Sequence, residues 1–88
     1  MTIIKKEQLQ KLISKDYTVN NRTTITFNKN SIIFKNSIIK EEIKINTVET
    51  FKNKTIKVFS EYLIKELEKI GKLRIEADDR TYINGIIY

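Results

Sequence analysis

Near the end of this 88-residue chain, Glu76, Asp78 and Asp79 fall within a span of four residues, with Lys72 just upstream. Carboxylates grouped in this way can hold Mg²⁺, and a neighbouring lysine can stabilise developing charge, which is the chemistry of a metal-dependent nuclease centre. The local pattern argues for a plainer role. If Asp78-Asp79-Arg80 is a hairpin loop, the aspartates sit at its tip, where solvated turn acids are ordinary, and Glu76 points sideways from the strand before it. Composition closes the other catalytic routes. The chain has no histidine and no cysteine, so it lacks the commonest zinc ligands, the commonest general base and any Ser-His or Cys-His nucleophile. Two glycines cannot build a Gly-rich phosphate loop. The tail Gly85-Ile86-Ile87-Tyr88 shares letters with one half of the GIY-YIG nuclease signature, but the second half and its spacing are missing. The expectation is a non-enzymatic protein without metal or cofactor, whose work is binding.

Charge indicates what it could bind. The net charge is +6, and it is unevenly placed: residues 1–57 carry 12 Lys and Arg against 5 acids, whereas residues 58–88 carry 5 against 6. Isoleucine (17), lysine (14) and asparagine (8) are amino acids with A/T-rich codons, so coding bias accounts for their abundance; selection of a lysine coat for polyanions is the functional alternative. The candidate phosphate contacts are Lys35, Lys40 and Lys44, projecting from strands, with Arg22 on a turn and Lys11 and Lys15 on one side of a first helix. Arg74 and Arg80 add positive charge near the C-terminal loop. Tyr17, Tyr82 and Tyr88 are the aromatic candidates for stacking or for anchoring a protein partner, because Phe27, Phe34, Phe51 and Phe59 all fall on expected core faces.

The elements that must position these residues follow from periodicity. A chain of this length is one domain, residues 1–88, and one this small buries only roughly 60 to 65% of the surface its unfolded form exposes. No apolar run is long enough for a membrane span, so the expectation is a soluble, cytosolic protein. Leu9, Leu12 and Ile13 follow i, i+3, i+4 spacing, which predicts a short helix from about residue 5 to residue 15. A three-stranded antiparallel meander follows. A turn at Lys29-Asn30 sets Phe27 opposite Ile32 and Ile25 opposite Phe34, and Ile39, Ile43 and Ile45 alternate with Lys40, Glu42 and Lys44 in a third strand, with Glu41 on the apolar side. Asn46 followed by Glu49 resembles a capping box, and Gly71 suits a helix C-terminus, so the span between them predicts one long helix. Lys52 and Glu66 fall near the middle of its apolar face, which implies a break near Asn53 or ends that overhang the sheet, in preference to a buried ion pair. Leu73, Ile75 and Ala77 then form a C-terminal hairpin with Thr81, Ile83 and Gly85, although Asn84-Gly85 is itself a strong turn signal, for a second reversal or a bulge. The predicted fold class is α+β: an antiparallel sheet, meander plus C-terminal hairpin, packed against one long helix, with a short N-terminal helix beside it.

The stretch Leu9 to Val19, LQKLISKDYTV, a short helix ending in Lys-Asp-Tyr-Thr-Val before a meander, resembles the opening of a small phage anti-CRISPR protein. The chain is also similar to that inhibitor in length and in its expected order of helix, three strands, helix. The resemblance implies a phage or mobile-element protein that blocks a host-defence nucleoprotein such as a CRISPR effector. It carries over no DNA-mimic mechanism, since that inhibitor is acidic and this chain is basic. Partners under this reading are a host protein or nucleoprotein, RNA or DNA, and a second copy joined through a sheet edge. The alternative is a basic nucleic-acid-binding accessory protein of a phage or plasmid.

Overall fold

The computed structural model describes residues 1–88 and has the α+β class expected, built on two antiparallel sheets rather than one. In chain order the elements are β1 (Thr2–Lys5), a 3-10 turn (Lys6–Leu9), α1 (Gln10–Ile13), β2 (Arg22–Asn28), β3 (Ser31–Lys35), β4 (Ile43–Asn46), β5 (Lys54–Phe59), α2 (Ser60–Ile70), β6 (Lys72–Ala77), β7 (Thr81–Ile83) and β8 (Ile86–Ile87). The middle of the chain forms a sheet of order β4-β3-β2-β5, and the N-terminal strand joins the C-terminal ones in a sheet of order β1-β6-β7-β8. Leu9 and Leu12 from the first helical segment, Leu63 and Leu67 from α2, and the inward residues of both sheets meet in one core. Phe27 and Phe51 pack at its centre with ring centroids 5.3 Å apart. No helix is long and apolar enough to cross a membrane.

The β2–β3 hairpin has the expected register, Phe27 opposite Ile32 and Ile25 opposite Phe34. The third strand is shorter than its alternation implied. It pairs only as β4, with Ile43 opposite Phe34 and Ile45 opposite Ile32. The segment before it is held off the ladder by Asn36, whose side-chain Oδ1 accepts from the backbone N–H groups of Ile38 and Ile39 at 2.9 and 3.0 Å. An Asx turn of this kind offers the chain an alternative to strand pairing. Ile39 is buried from this loop, and Lys40 leaves the sheet.

The main correction concerns the long helix. Residues 46–59 are not helical: Lys54–Phe59 is a strand that pairs with β2 along its whole length, from Arg22 opposite Phe59 to Phe27 opposite Lys54. Thr55, Ile56 and Val58 are β-branched, and Ile56 and Val58 face inward at a spacing of two, so a strand hydrogen-bonded to β2 prevails over a weak helical pattern. The apparent capping box also has another use. The Glu49 carboxylate accepts from the Thr2 hydroxyl at 2.6 Å and pairs with the N-terminal ammonium at 3.3 Å, tying β1 to the segment before β5. Helix α2 begins at Ser60 and buries the stripe Ser60, Leu63 and Leu67. It ends where expected: Gly71 adopts φ +83° and donates its N–H to the Leu67 carbonyl at 2.8 Å.

β1 was not anticipated. Its four residues pair with β6, setting Ile4 opposite Leu73, both fully buried. At the C-terminus, Ile75 faces Ile83 and Ala77 faces Thr81, as the expected hairpin requires, but the strand does not continue to Gly85. The chain reverses at Asn84-Gly85, both at positive φ, and β8 returns along β7. Asn84 stabilises this reversal by accepting from the Arg74 N–H at 2.7 Å and donating to Glu66 on α2 at 3.1 Å. Glu66 is therefore tied to the C-terminal sheet, and Lys52 is exposed in the loop before β5.

Candidate nucleic-acid interface

Strand alternation decides which side chains share the outer face of the sheet β4-β3-β2-β5. Because Ile25, Phe27, Ile32 and Phe34 point inward, Arg22, Thr24, Thr26 and Asn28 of β2 point out, together with Ile33 and Lys35 of β3. The cross-strand register extends this face. Lys35 and Lys57 lie on opposite sides of Thr24, Lys44 is opposite Ile33, and Phe59 is opposite Arg22. Lys44 is thus a diagonal neighbour of Lys35, and Lys57 of Arg22, and diagonal neighbours on a sheet sit about 7–8 Å apart. Each of the four strands contributes one cation to a continuous belt: Lys44, Lys35, Arg22 and Lys57.

All four are exposed, and no residue in the paired rows of this face is acidic. The ion pairs of the molecule are Met1 N-terminus with Glu49 and Lys11 with Glu41, so the belt cations have no carboxylate partners. Thr24 stands between Lys35 and Lys57, and the rows beside the belt on the same face carry neutral hydrogen-bonding groups, Thr26 and Thr55, then Asn28 and Asn46. The Arg22 guanidinium carbon lies 4.8 Å from the centroid of the Phe59 ring, which is 47% exposed. An arginine held on an aromatic face presents its other face to solvent, where a base can stack or a phosphate can bind.

The strand ends that carry the two central cations of the belt, Arg22 and Lys35, are fixed by a buried polar chain. The Tyr17 hydroxyl donates to the Leu12 carbonyl at 2.8 Å and accepts from the Asn36 amide at 3.2 Å. The same amide donates to Thr23 Oγ1 at 3.1 Å. Ser60 Oγ donates to Asn21 Oδ1 at 2.6 Å, so in the 2.7 Å contact between Thr23 and Ser60 the threonine is the donor. Asn21 Nδ2 donates to Ser37 Oγ at 2.9 Å. Thr23, Asn36 and Ser60 are all buried, and the sequence of donors holds the start of β2, the end of β3 and the start of α2 in one arrangement. Above it lies an open depression of about 560 Å³ whose lining has no hydrophobic residue and includes Arg22 and Lys35.

The other residues singled out from the sequence are dispersed. Lys40 stands on the loop after β3, around a second depression with Lys11, Lys15 and Glu41, and away from the belt. Arg74 and Tyr82 lie on the outer face of the C-terminal sheet, where Tyr82 is opposite Glu76, and line a hollow with Met1 and Gly85. Arg80 is at the loop tip with Asp78 and Asp79. These acids do not form a group that could hold a metal ion. Tyr88 packs against Tyr62, ring centroids 5.9 Å apart, and burial pushes both phenols above the ordinary tyrosine range. Burial also raises Tyr17. Tyr17 and Tyr88 thus serve the packing of the protein itself. The unpaired sheet edges are β4 and β5 in one sheet and β1 and β8 in the other.

Sequence reasoning missed Lys57 and Phe59, because a helical reading of residues 46–70 gave Lys57 no place on the sheet and put Phe59 in the core. The alternation of Ile56 and Val58 was the signal that could have found them. No family model, no curated protein and no solved structure matches this chain.

Proposed function

We propose that this protein is a non-catalytic nucleic-acid-binding module that takes a single strand across the outer face of the sheet β4-β3-β2-β5. The observation that carries this reading is the belt of Lys44, Lys35, Arg22 and Lys57, one from each strand, on a face whose paired rows contain no acid. Neutral threonines and asparagines beside the cations supply hydrogen bonds that do not depend on sequence, and the Arg22–Phe59 pair supplies a stacking surface. No helix projects from this face to enter a duplex groove, and a polar sheet with an exposed aromatic suits unstacked bases better than a double helix.

Counterion release makes the reading quantitative. Four phosphate contacts predict that log K falls with log salt concentration with a slope of about −3 for a single strand. Fluorescence anisotropy with a labelled oligouridine or oligothymidine, titrated at several salt concentrations, measures this directly. Lys35→Glu, Lys44→Glu and Lys57→Glu should each weaken binding about tenfold or more, whereas Lys40→Glu, off the belt, should change it less than about twofold. Equal effects of Lys40→Glu and Lys57→Glu would mean diffuse attraction to a basic protein and would refute the interface.

A second reading keeps the inhibitor function that the resemblance implies. Met1, Ile3, Ile86 and Ile87 are exposed in and beside the C-terminal sheet, a surface that a nucleic acid alone does not use. An inhibitor of a nucleoprotein could place the belt on its guide strand and these apolar residues on its protein. Loss of target cleavage by an RNA-guided nuclease on addition of this protein, abolished by Lys57→Glu and by Ile87→Glu, is the result this reading requires.

A further inference from the structure

We infer that the strand taken by the belt is RNA, and that the depression lined by Arg22 and Lys35 recognises it through a ribose 2′-hydroxyl. The inference rests on the reading of the sheet face as a single-strand interface and narrows it to one kind of strand. Lys35 is opposite Thr24, two residues after Arg22, so Arg22 and Lys35 are diagonal neighbours and the two central cations of the belt. At the diagonal separation of about 7–8 Å they can hold consecutive phosphates of a strand that passes along the belt. The sugar joining those phosphates then lies over the depression that both cations line.

The side chains around that sugar have hydrogen-bonding capacity to spare. Thr18, Asn20, Thr24 and Ser37 line the depression with the two cations, and no hydrophobic residue does. The side chains of Thr18, Asn20 and Thr24 make no hydrogen bond within the protein, and Ser37 only accepts from Asn21, so its hydroxyl hydrogen is free. Asn21 and Asn36, also in the lining, are committed to the buried polar chain and hold the loops before β2 and after β3 in place. With the phosphates on the cations, the neutral groups are left for the sugar. A ribose 2′-hydroxyl is both donor and acceptor, and it meets a hydroxyl or an amide in either sense. A deoxyribose carbon in the same place displaces water from these groups and returns no bond. Because the depression is open, water restores part of that loss, and the discrimination is that of roughly one net hydrogen bond, about five- to tenfold in affinity.

The test compares decamers of uridine, deoxyuridine and 2′-fluoro-deoxyuridine, which share one base, by fluorescence anisotropy at several salt concentrations. The uridine strand should bind about five- to tenfold tighter than the deoxyuridine strand at each salt concentration. The 2′-fluoro strand, which keeps a ribose-like sugar shape without the hydroxyl, should bind like deoxyuridine. Thr18→Val with Asn20→Ala, both exposed and outside the belt, should reduce the ratio to about twofold or less. Lys44→Gln, at the β4 edge of the belt, should weaken uridine and deoxyuridine strands equally and preserve the ratio. Circular dichroism of each variant reports retention of the fold. Equal, salt-dependent binding of uridine and deoxyuridine would overturn the preference for RNA and leave the belt intact. A 2′-fluoro strand that binds like uridine, or a ratio unmoved by the double variant, would overturn recognition of the hydroxyl at this depression. Absence of salt-dependent binding by any strand would overturn the interface itself.

Discussion

The buried polar chain beneath the belt makes a sharp stability prediction at Asn36, whose side chain makes four hydrogen bonds and is 8% exposed. Replacement by alanine removes all four, with unequal consequences. Tyr17 still donates to the Leu12 carbonyl, and Thr23 still donates to Ser60, so each hydroxyl loses only a bond that it accepts. Those two losses are worth about 0.5 kcal/mol each. The Ile39 N–H is buried and loses its partner, which costs about 2 kcal/mol, whereas the Ile38 N–H belongs to a residue 40% exposed and can turn to water. The expected total for Asn36→Ala is about 3 kcal/mol, or about 15 °C in Tm for a domain of this size. Urea unfolding followed by circular dichroism measures it, with an unchanged m-value as the sign that the native state alone is affected. Combining the change with Thr23→Val in a double-mutant cycle should give a coupling energy of about 0.5–1 kcal/mol, since the two side chains share one bond. A loss below about 1 kcal/mol for Asn36→Ala would mean that water enters and satisfies the abandoned groups, and the claim that this chain rigidly fixes the end of the sheet would fall.

Three smaller predictions follow from other elements. Gly71→Ala should cost about 1 kcal/mol and no more, because the position has φ +83° but no atom within 4 Å of an added Cβ; a larger loss by urea unfolding would indicate a clash instead of backbone preference. Glu49 is held below the usual carboxylate range by the Thr2 hydroxyl and the N-terminal ammonium. A depressed pKa stabilises the fold above the unfolded value near 4.3, and that contribution is lost as pH falls below this value and through the lower folded one, so Glu49→Gln should flatten stability between about pH 5 and 3, by about 0.5 kcal/mol after solvent screening. Tyr17, Tyr62 and Tyr88 carry phenols raised by burial. Their contribution is fully present below the unfolded value of about 10 and is lost as pH rises above it; absorbance at alkaline pH should show part of the tyrosine titrating only with unfolding, and one reversible transition at the ordinary pKa would contradict this packing.

How much of this was legible in the sequence depended on how local each signal was. The β2–β3 register, the Gly71 helix end and the Ala77–Thr81 hairpin each rest on a few adjacent residues whose alternation and turn chemistry agree, and the structure has them. The failures involve partners distant in sequence. Thr2–Lys5 gives a weak signal alone and becomes a strand because β6, some 70 residues later, offers an unpaired edge beside Leu73 and Ile75. The expected third strand was shortened by a side chain: Asn36 captures the two backbone N–H groups that would otherwise begin an earlier pairing. Residues 54–59 carried both periods, and a long-range ladder with β2 decided between them.

That last choice also governs the functional reading, since it moves two residues between categories. On a helix, Lys57 is one cation among mixed charges and Phe59 is core; on β5, the alternation of Ile56 and Val58 into the core turns both outward. Lys57 then completes a belt that Lys44, Lys35 and Arg22 leave one strand short, and Phe59 becomes an exposed aromatic on the same face. The candidate lysines read from the sequence are divided by the fold: Lys35 and Lys44 share the sheet face, whereas Lys40 is carried off by the Asn36 turn. The same asparagine therefore shapes the sheet face twice. It excludes Lys40 from the belt, and it anchors the strand ends from which Arg22 and Lys35 project. A substitution at Asn36 should accordingly weaken strand binding even under conditions where the protein remains folded.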